Sequence, residues 1–409
     1  MQHKLPGYAM LAVLLGGLSM VSPFSIDTFF PAFHAMQKAL HVEAWQLQQV
    51  LTAYMIPFAF AALVHGPLSD ALGRRPVMIW GMVLYTVGSI ACTLAPNYGA
   101  LIAARALQGM TAGVGVVVGR AVVRDLYEGP RAQRLMSVTT MIFSIAPAAA
   151  PIIGGWAHVA FGWRAVFAVM VLCGLVFAFS AWWRLPETHP VAARIPFNGR
   201  NLVATSWTVV KHREFMLLAV SAALNFGSIS CLIGAAPMIV EGHWHMGETD
   251  YWQLFIPIIS GILVGALISG KLAGRMPSVR QARLGFAVPL GVSLLRVILH
   301  LTMEVIPIPT QQALLFIAGV GVQIALPVLT LRMLDLFPAA RGSAASMQSF
   351  VALIVMGAIL GAFVPLAQLR LEWLAYGSLG FAISASICWY LARRWHDRNI
   401  RSTADFHPA

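Results

Sequence analysis

Long apolar stretches separated by short polar segments run along the whole chain. A stretch of about 20 apolar residues can cross the hydrocarbon core of a bilayer as an α-helix. Helices are the expected conformation, because hydrocarbon offers no hydrogen-bonding partner to an open sheet edge. The pattern predicts twelve spans, at residues 8–32, 46–66, 77–95, 99–122, 135–158, 164–184, 214–238, 252–271, 283–303, 311–335, 343–366 and 372–392.

The longest polar segment, 186–211, is basic and lies between the sixth and seventh predicted spans. We predict an all-α polytopic membrane protein with two six-helix bundles around a central cavity. The first bundle is 1–187, the cytoplasmic linker is 188–212 and the second bundle is 213–409. A weak internal repeat favours this division, since transporters are often built from duplicated halves. The residues that recur 200 positions later are Ile56, Pro57, Leu63, Val64, Ser69, Leu72 and Arg75.

Composition excludes a soluble protein. Of the 409 residues, 59% are hydrophobic and 10% are charged, whereas a soluble domain has about 25% charged residues. The four cysteines all lie in apolar stretches and indicate neither a disulfide framework nor a metal site. His243 and His245 are too few ligands for a metal ion. We therefore expect no metal and no cofactor.

The basic residues are unevenly distributed between the two sides of the predicted membrane. With a cytoplasmic N-terminus, only Lys38, Arg164 and Arg370 of the 27 lysines and arginines fall in outer loops. Cytoplasmic loops are enriched in these residues, so both termini are predicted to be cytoplasmic. Topology and contact with anionic lipid then explain the net charge of +12, and nucleic acid is not an expected partner.

Asp27 is the one acidic residue, of 15 in the chain, that lies well inside a predicted span. Placing a charged side chain there costs roughly 2.5–3.5 kcal/mol. A carboxyl group shielded from water can avoid this cost by binding a proton. Asp27 is therefore predicted to bind and release protons during transport. The alternative is a polar residue that faces a water-filled cavity and has no role in coupling.

Arg105 lies in the fourth predicted span, at a depth similar to that of Asp27. Both residues are about five or six positions from the outer end of their spans, or roughly 7–10 Å below the outer surface at 1.5 Å per residue. We expect the two side chains to interact directly or through water. The alternative is that Arg105 extends to the interface and anchors the span there.

The loop after the second span, Gly66 to Pro76, carries charges between two glycines. This spacing resembles the signature loop of the major facilitator superfamily. The resemblance implies a latch between the two halves, with Asp70 near Gly342 at the start of the eleventh span, where a helix N-terminus favours negative charge. Arg74 or Arg124 is expected to pair with Asp70 or Asp125. The predicted latch residues are Gly66, Asp70, Gly73, Arg74, Arg75, Arg124 and Asp125.

The fifth span contains two prolines, Pro147 and Pro151, followed by Gly154 and Gly155. It is similar to the antiporter motif of drug exporters, although Ala150 stands where that motif usually has glycine. Ala-Pro at this position is typical of the bicyclomycin-resistance type of drug:proton antiporter. Segments 26–31 and 123–129 resemble the same branch, and segment 185–188 ends the sixth span as in many relatives of the family. The second half resembles the family only in its span count and in the repeat.

The resemblance implies a secondary transporter that exports small, mostly apolar, drug-like compounds in exchange for protons. Such a protein works as a monomer in lipid, without a cofactor. Methionine and phenylalanine suit varied ligands because their side chains adapt in shape. The candidate substrate contacts are Tyr54, Met55, Phe58, Met141, Phe143, Asn225, Phe226, Gln323 and Gln348.

Two other functions fit the sequence less well. The first is export of one defined metabolite, such as a sugar or an amino acid, which needs more convergent polar groups than spans seven, ten and eleven offer. The second is a membrane enzyme or receptor. The sequence contains no catalytic cluster, nucleotide-binding loop or metal-ligand spacing, and its polar loops are too short to fold as a domain.

Overall fold

The protein is described from a computed structural model at residues 7–338, 340–367 and 370–405. Within these ranges every regular element is helical and none is a strand. Single helical turns of other types occur at Phe30–Ala32, Val191–Ala193, Met238–His243 and Ile359–Phe363. The α-helices are α1 (Tyr8–Asp27), α2 (Phe33–Leu40), α3 (Ala44–Leu72), α4 (Arg74–Thr93), α5 (Tyr98–Ala112), α6 (Val114–Leu126), α7 (Gly129–Phe161), α8 (Trp163–Arg184), α9 (Gly199–Lys211), α10 (Arg213–Gly234), α11 (Trp252–Leu272), α12 (Ser278–Thr302), α13 (Ile308–Asp335), α14 (Arg341–Ala358), α15 (Val364–Ala367) and α16 (Leu371–Asp405).

Twelve helical segments in the described ranges are long and apolar enough to cross a membrane, which confirms the predicted number of spans. The first span ends eight residues later than predicted, at Leu40 instead of residue 32. The added residues include His34, Gln37 and Lys38, so the hydropathy falls before the helical structure ends. The fourth span, Tyr98–Leu126, combines α5 and α6.

The first span is interrupted directly after Asp27. The Thr28 hydroxyl donates to the carbonyl of Phe24, and so does the Thr28 backbone N–H, at 3.1 Å. Pro31 has no N–H to donate and lies in the tight turn Phe30–Ala32 that separates α1 from α2. Asp27 is therefore the last residue of a helix, where the helix dipole places partial negative charge and disfavours an ionised carboxyl group.

The chain forms two compact units. Unit 1 is Met1–Leu202 with Ala236–Ile259, and unit 2 is Val203–Ala235 with Ser260–Ala409. Segment 236–259 thus belongs with the first half of the sequence, although it follows the predicted linker. The linker region itself contains helix α9. The predicted bundle boundaries stay a prediction.

In unit 1, α1 packs against α7, α3 against α5, and α4 against α8. The α3–α5 contact depends on Gly109, since a Cβ atom there would overlap the carbonyl oxygen of Tyr54. Small residues let membrane helices approach this closely. The contact positions the Tyr54 ring beside Arg105, which lies about one turn before Gly109 on α5.

In unit 2, α10 packs against α16 and α12 against α13. Ser378 donates to the Ser228 carbonyl at 2.7 Å, and its hydroxyl lies 2.9 Å from that of Ser293. The nearly buried carboxylate of Glu214 accepts two hydrogen bonds from Arg332, at 2.8 and 3.0 Å. These bonds keep polar groups of the unit paired away from water.

The glycine contact at 109 can be tested with a matched pair of variants on the fourth span. Gly109→Ala places a methyl group against the Tyr54 carbonyl, whereas Gly119→Ala meets its nearest neighbour, the Ser19 hydroxyl, at 3.7 Å. Overpacking of this kind costs about 1–3 kcal/mol. We expect Gly109→Ala to lower the thermal unfolding midpoint in detergent, and Gly119→Ala to leave it unchanged or raise it. Equal midpoints for the two variants would contradict the close approach.

Candidate functional site

Asp27 is buried in unit 1, with 6% of the residue exposed. No salt bridge in the described part of the chain includes it. The carboxyl group lies close enough to Tyr54 to interact with it electrostatically. Asp27 therefore combines shielding from water with the lack of a fixed cationic partner.

The motif on the fifth span lies against the backbone next to Asp27. A Cβ atom on Gly154 would overlap the carbonyl oxygen of Thr28, and one on Gly155 would overlap that of Glu248. The two glycines thus let α7 contact both the interruption after α1 and segment 236–259. Pro147 and Pro151 lie inside α7, which continues through both of them.

Arg105 is completely buried, with no exposed area. Its Nη1 donates to Gln108 Oε1 at 2.6 Å and to the Ser25 carbonyl at 3.2 Å, and its Nε donates to the Val50 carbonyl at 3.3 Å. The guanidinium carbon lies 4.5 Å from the centroid of the Tyr54 ring, within the range of a cation–π interaction. The alternative that Arg105 anchors the span at the membrane interface is therefore wrong, because the side chain is buried inside unit 1.

The expected direct pair of Asp27 and Arg105 is not formed in the described part of the chain. The guanidinium is bound by backbone carbonyls and Gln108, and its Nη2 has no hydrogen-bond partner there. The two residues share Tyr54 as a neighbour, since both act on it electrostatically. A link through water stays a prediction.

Several polar side chains around Arg105 were not predicted from the sequence. The Ser25 hydroxyl, two residues before Asp27, lies 2.5 Å from that of Tyr85. Gln108 Nε2 donates to the Ser89 hydroxyl at 2.8 Å. Gln108 was detectable, because residues three apart lie on one face of a helix and Gln108 is three positions after Arg105. Nothing in the sequence marked the serines, which are common in apolar spans.

The candidate substrate contacts of unit 1 differ in exposure. Tyr54, Met55 and Phe58 are buried, and the Tyr54 and Phe58 rings pack edge to face at 6.0 Å. Met141 is 57% exposed, and Phe143 is partly buried on the same helix, α7. The structure thus brings Tyr54 beside Arg105 and Phe58 beside Tyr54, and it leaves Met141 and Phe143 nearer the surface.

In unit 2, Asn225 is buried and donates to the Gly285 carbonyl at 3.4 Å, while Gln348 donates to Thr330 at 2.8 Å. Phe226 and Gln323 are partly buried. A cavity of about 770 Å³ in this unit is lined by other residues, among them Glu214, Ser269, Gln281, Arg332 and Trp389. Contact of any candidate with substrate therefore stays a prediction.

Arg74 is the centre of the charged loop after the second span. It pairs with Asp70 at 2.5 Å and with Asp125 at 3.1 Å, as predicted for Arg74 or Arg124. Gly73 has φ of +102°, a conformation that favours glycine. Arg75 donates to the Trp182 carbonyl at 2.6 Å. The loop is thus fixed within unit 1 by its own charges.

Two further residues of this cluster escaped the sequence analysis. Glu187 accepts from the Arg74 backbone N–H at 3.0 Å, and Thr188 donates to Asp125 at 2.8 Å. A carboxylate at the start of α4 also suits the positive end of the helix dipole. Segment 185–188 thus ends the sixth span and also contributes Glu187 and Thr188 to the charged cluster. Arg124 forms no ion pair with this cluster in the described part of the chain, and the latch between halves, with Gly66 and Arg124 in it, stays a prediction.

The comparisons with known proteins agree with these motifs. A profile described as Major Facilitator Superfamily matches residues 15–362. The bicyclomycin resistance protein homolog of Haemophilus influenzae is 29% identical over 275 residues, which are 67% of this chain and 69% of that one. Multidrug resistance protein D of Escherichia coli is 30% identical over 267 residues, 64% of this chain and 65% of that one.

Among solved structures, the crystal structure of the human organic anion transporter MFSD10 has a TM-score of 0.67 with 16% sequence identity. The match covers 95% of this chain and all of that one. This likeness concerns the fold alone. It confirms the predicted all-α membrane fold, and the relatives confirm the resemblance inferred from the loop after span two and from the span-five motif.

The burial of Arg105 predicts a structural role besides any role in coupling. Arg105→Lys keeps the charge but loses the planar fork that reaches Gln108, Ser25 and Val50. Each lost hydrogen bond to a charged group costs about 1.5–3 kcal/mol. We expect a lower thermal midpoint than in the exposed control Arg164→Lys. An unchanged midpoint would mean that the guanidinium contacts do not stabilise unit 1.

The charged cluster predicts an effect on conformation. Asp70→Asn removes one partner of Arg74 and should shift the population between inward-facing and outward-facing states. The measurement is the labelling of engineered cysteines from both membrane faces. Asp397→Asn is the control, because Asp397 pairs with Arg393 at the same i, i+4 spacing in unit 2. Unchanged labelling with normal transport in Asp70→Asn would exclude a latch.

Proposed function

Because the chain belongs to the major facilitator superfamily, we propose that it exports small, mostly apolar drug-like compounds in exchange for protons. The proton gradient drives this exchange, and no cofactor takes part. The protein lies in a bacterial inner membrane as a monomer with both termini in the cytoplasm. The 12 spans and the bacterial relatives support this location, and the Lys and Arg distribution supports the orientation.

The observation that carries the proposal is the state of Asp27. A carboxylate in a permanent salt bridge keeps its charge and cannot exchange a proton at low cost. Asp27 has no such partner in the described residues, is nearly shielded from water and lies at the negative end of a helix. These conditions suit a group that is neutral in one state and ionised when water reaches it.

Arg105 contributes a fixed positive charge near the same site. A guanidinium stays charged in proteins, and the one of Arg105 is held by two carbonyls and Gln108. The charge of Arg105 and the carboxyl group of Asp27 both act electrostatically on Tyr54. Arg105 thus limits the cost of ionising Asp27 without forming a permanent pair with it.

The substrate class follows from the side chains of α3 and from the relatives. Tyr54, Met55 and Phe58 offer ring and thioether surface with few fixed polar groups, which suits varied apolar ligands. Two relatives bear names that refer to bicyclomycin resistance and multidrug resistance. This supports broad recognition over a site built for one polar metabolite.

The proposal predicts that Asp27→Asn abolishes proton-driven export and leaves the fold intact. Asparagine keeps the shape of the side chain but cannot release a proton. The measurement is substrate-dependent proton movement in proteoliposomes with a pH-sensitive dye, together with the thermal midpoint. The control is Glu304→Gln, the same carboxylate-to-amide change at an exposed loop position. Wild-type proton exchange in Asp27→Asn would refute the role of Asp27.

A further inference from the structure

The cavity of unit 2 lies at one boundary of the membrane. Its volume is about 770 Å³. Its lining residues come from the starts of α10 and α12 and from the ends of the spans that contain α11, α13 and α16. Consecutive spans run in opposite directions, so these starts and ends belong to the same membrane face. The cavity therefore lies where lipid headgroups meet the hydrocarbon.

The walls of this cavity change from charged to apolar with depth. Its charged lining residues, among them Arg332 and Arg393, lie within four residues of the ends of their spans. Ala266, Val328 and Trp389 lie six to eight residues before the ends of theirs. At 1.5 Å per residue, these three are roughly 9–12 Å inside the membrane boundary. A charged rim above an apolar interior suits a ligand that is itself amphipathic.

The acidic residues of the rim are already paired with cations. Glu214, whose side chain is 4% exposed, accepts hydrogen bonds through Oε1 from Nε and Nη2 of Arg332, at 3.0 and 2.8 Å. Its Oε2 lies 3.4 Å from Nδ1 of His396. Asp335 lies 3.8 Å from Arg341, which is not among the lining residues. Among the described residues, the rim thus offers no unpaired carboxylate to a cationic ligand.

The arginines of the rim, in contrast, have hydrogen-bond donors to spare. Arg393 approaches Asp397 only to 3.7 Å, which is too long for a hydrogen bond, so its guanidinium N–H groups have no acceptor in the described chain. Arg332 uses Nε and Nη2 on Glu214 and leaves Nη1 without an acceptor in the same ranges. Such donors fit a phosphate group, whose oxygens accept several hydrogen bonds from guanidinium groups.

The segment that follows α11 adds positive charge beside the rim. Residues 271–283 contain no acidic residue and four basic ones, Lys271, Arg275, Arg280 and Arg283. Val279 of the same segment lines the cavity. A cluster of like charges attracts anions and repels cations. Basic pockets between membrane helices are typical binding sites for anionic lipid headgroups.

We propose that the cavity binds one anionic phospholipid from the surrounding membrane. Its phosphate group accepts hydrogen bonds from Arg393 and Arg332, and the first part of an acyl chain lies along Ala266, Gly270 and Val328. The lipid thereby connects α11, α13 and α16 at one end of unit 2. This site is separate from Asp27, and it does not depend on the direction of transport or on its coupling to protons.

The test is the binding of phosphatidylglycerol to the full-length protein in neutral detergent, counted by native mass spectrometry. Phosphatidylcholine is the comparison lipid, because its choline group cancels the charge of the phosphate and is repelled by the basic segment. We expect one phosphatidylglycerol per protein to bind more tightly than phosphatidylcholine does. Equal affinities for the two lipids would overturn the proposal.

Arg393→Gln tests the charged rim. It removes the charge and the guanidinium donors, so phosphatidylglycerol should bind about 10-fold more weakly, the effect of one hydrogen bond to a charged group. The control is Arg394→Gln, the same change at the next residue, which is exposed and does not line the cavity. This control should bind as the wild type does. Equal losses in the two variants would indicate attraction to a basic surface and would refute a built site.

Gly270→Leu tests the apolar interior. A Cβ atom at Gly270 meets no atom within 4 Å, so a leucine side chain can extend into the cavity. The control is Gly291→Leu, at an equally open and exposed glycine of α12 that does not line the cavity. We expect only Gly270→Leu to lose phosphatidylglycerol binding, with thermal midpoints to confirm that both variants are folded. Full binding in Gly270→Leu would contradict the position of the acyl chain.

Inorganic phosphate distinguishes a lipid from a soluble anion. It offers the same oxygens without an acyl chain, so millimolar phosphate should not displace phosphatidylglycerol from the wild-type protein. Displacement would identify a site for soluble phosphate and would overturn the lipid assignment. All these measurements are made without a proton gradient, so their outcome is independent of proton-driven export.

Discussion

Hydrocarbon supplies no hydrogen bonds, and this constraint determines where the polar groups of the spans lie. Serine hydroxyls donate hydrogen bonds to backbone carbonyls of their own helices. Ser19 donates to the Leu15 carbonyl at 2.8 Å, and Ser25 donates to the Val21 carbonyl at 2.7 Å. Arg105 satisfies most of its donors with carbonyls and one amide. Asp27 forms no salt bridge in the described residues, and this is the observation on which its proposed role in proton exchange depends.

The sequence predicts features whose signal is local. A span is a run of about 20 apolar residues, so the number of spans could be predicted from hydropathy alone. The pairing of Arg74 with Asp70 follows from i, i+4 spacing. Contacts distant in sequence left no such signal. Glu187 is 113 residues from Arg74, and Glu241 is 207 residues from His34.

Arg105 shows that the depth of a residue in the membrane does not by itself predict the partners of its side chain. Counting residues at 1.5 Å each gives the position of a side chain along the helix axis. It does not give the rotation of the helix about that axis, which packing decides. Gly109 sets α5 against α3, and this contact directs Arg105 to the Tyr54 ring and to Gln108. The direct pair with Asp27 is therefore not formed in the described residues, and a link through water stays a prediction.

The interruption after α1 is a point where several parts of unit 1 meet. Asp27 ends the helix on one side of it, and the Phe30 carbonyl, inside it, accepts from both the Phe33 N–H and the buried Tyr251. A backbone segment that lacks the regular i to i−4 hydrogen bonds of an α-helix loses few hydrogen bonds when it moves. The close approach of Gly154 to the Thr28 carbonyl keeps α7 in contact with the same segment. The stretch of backbone that follows Asp27 is thus easier to rearrange than the helices around it.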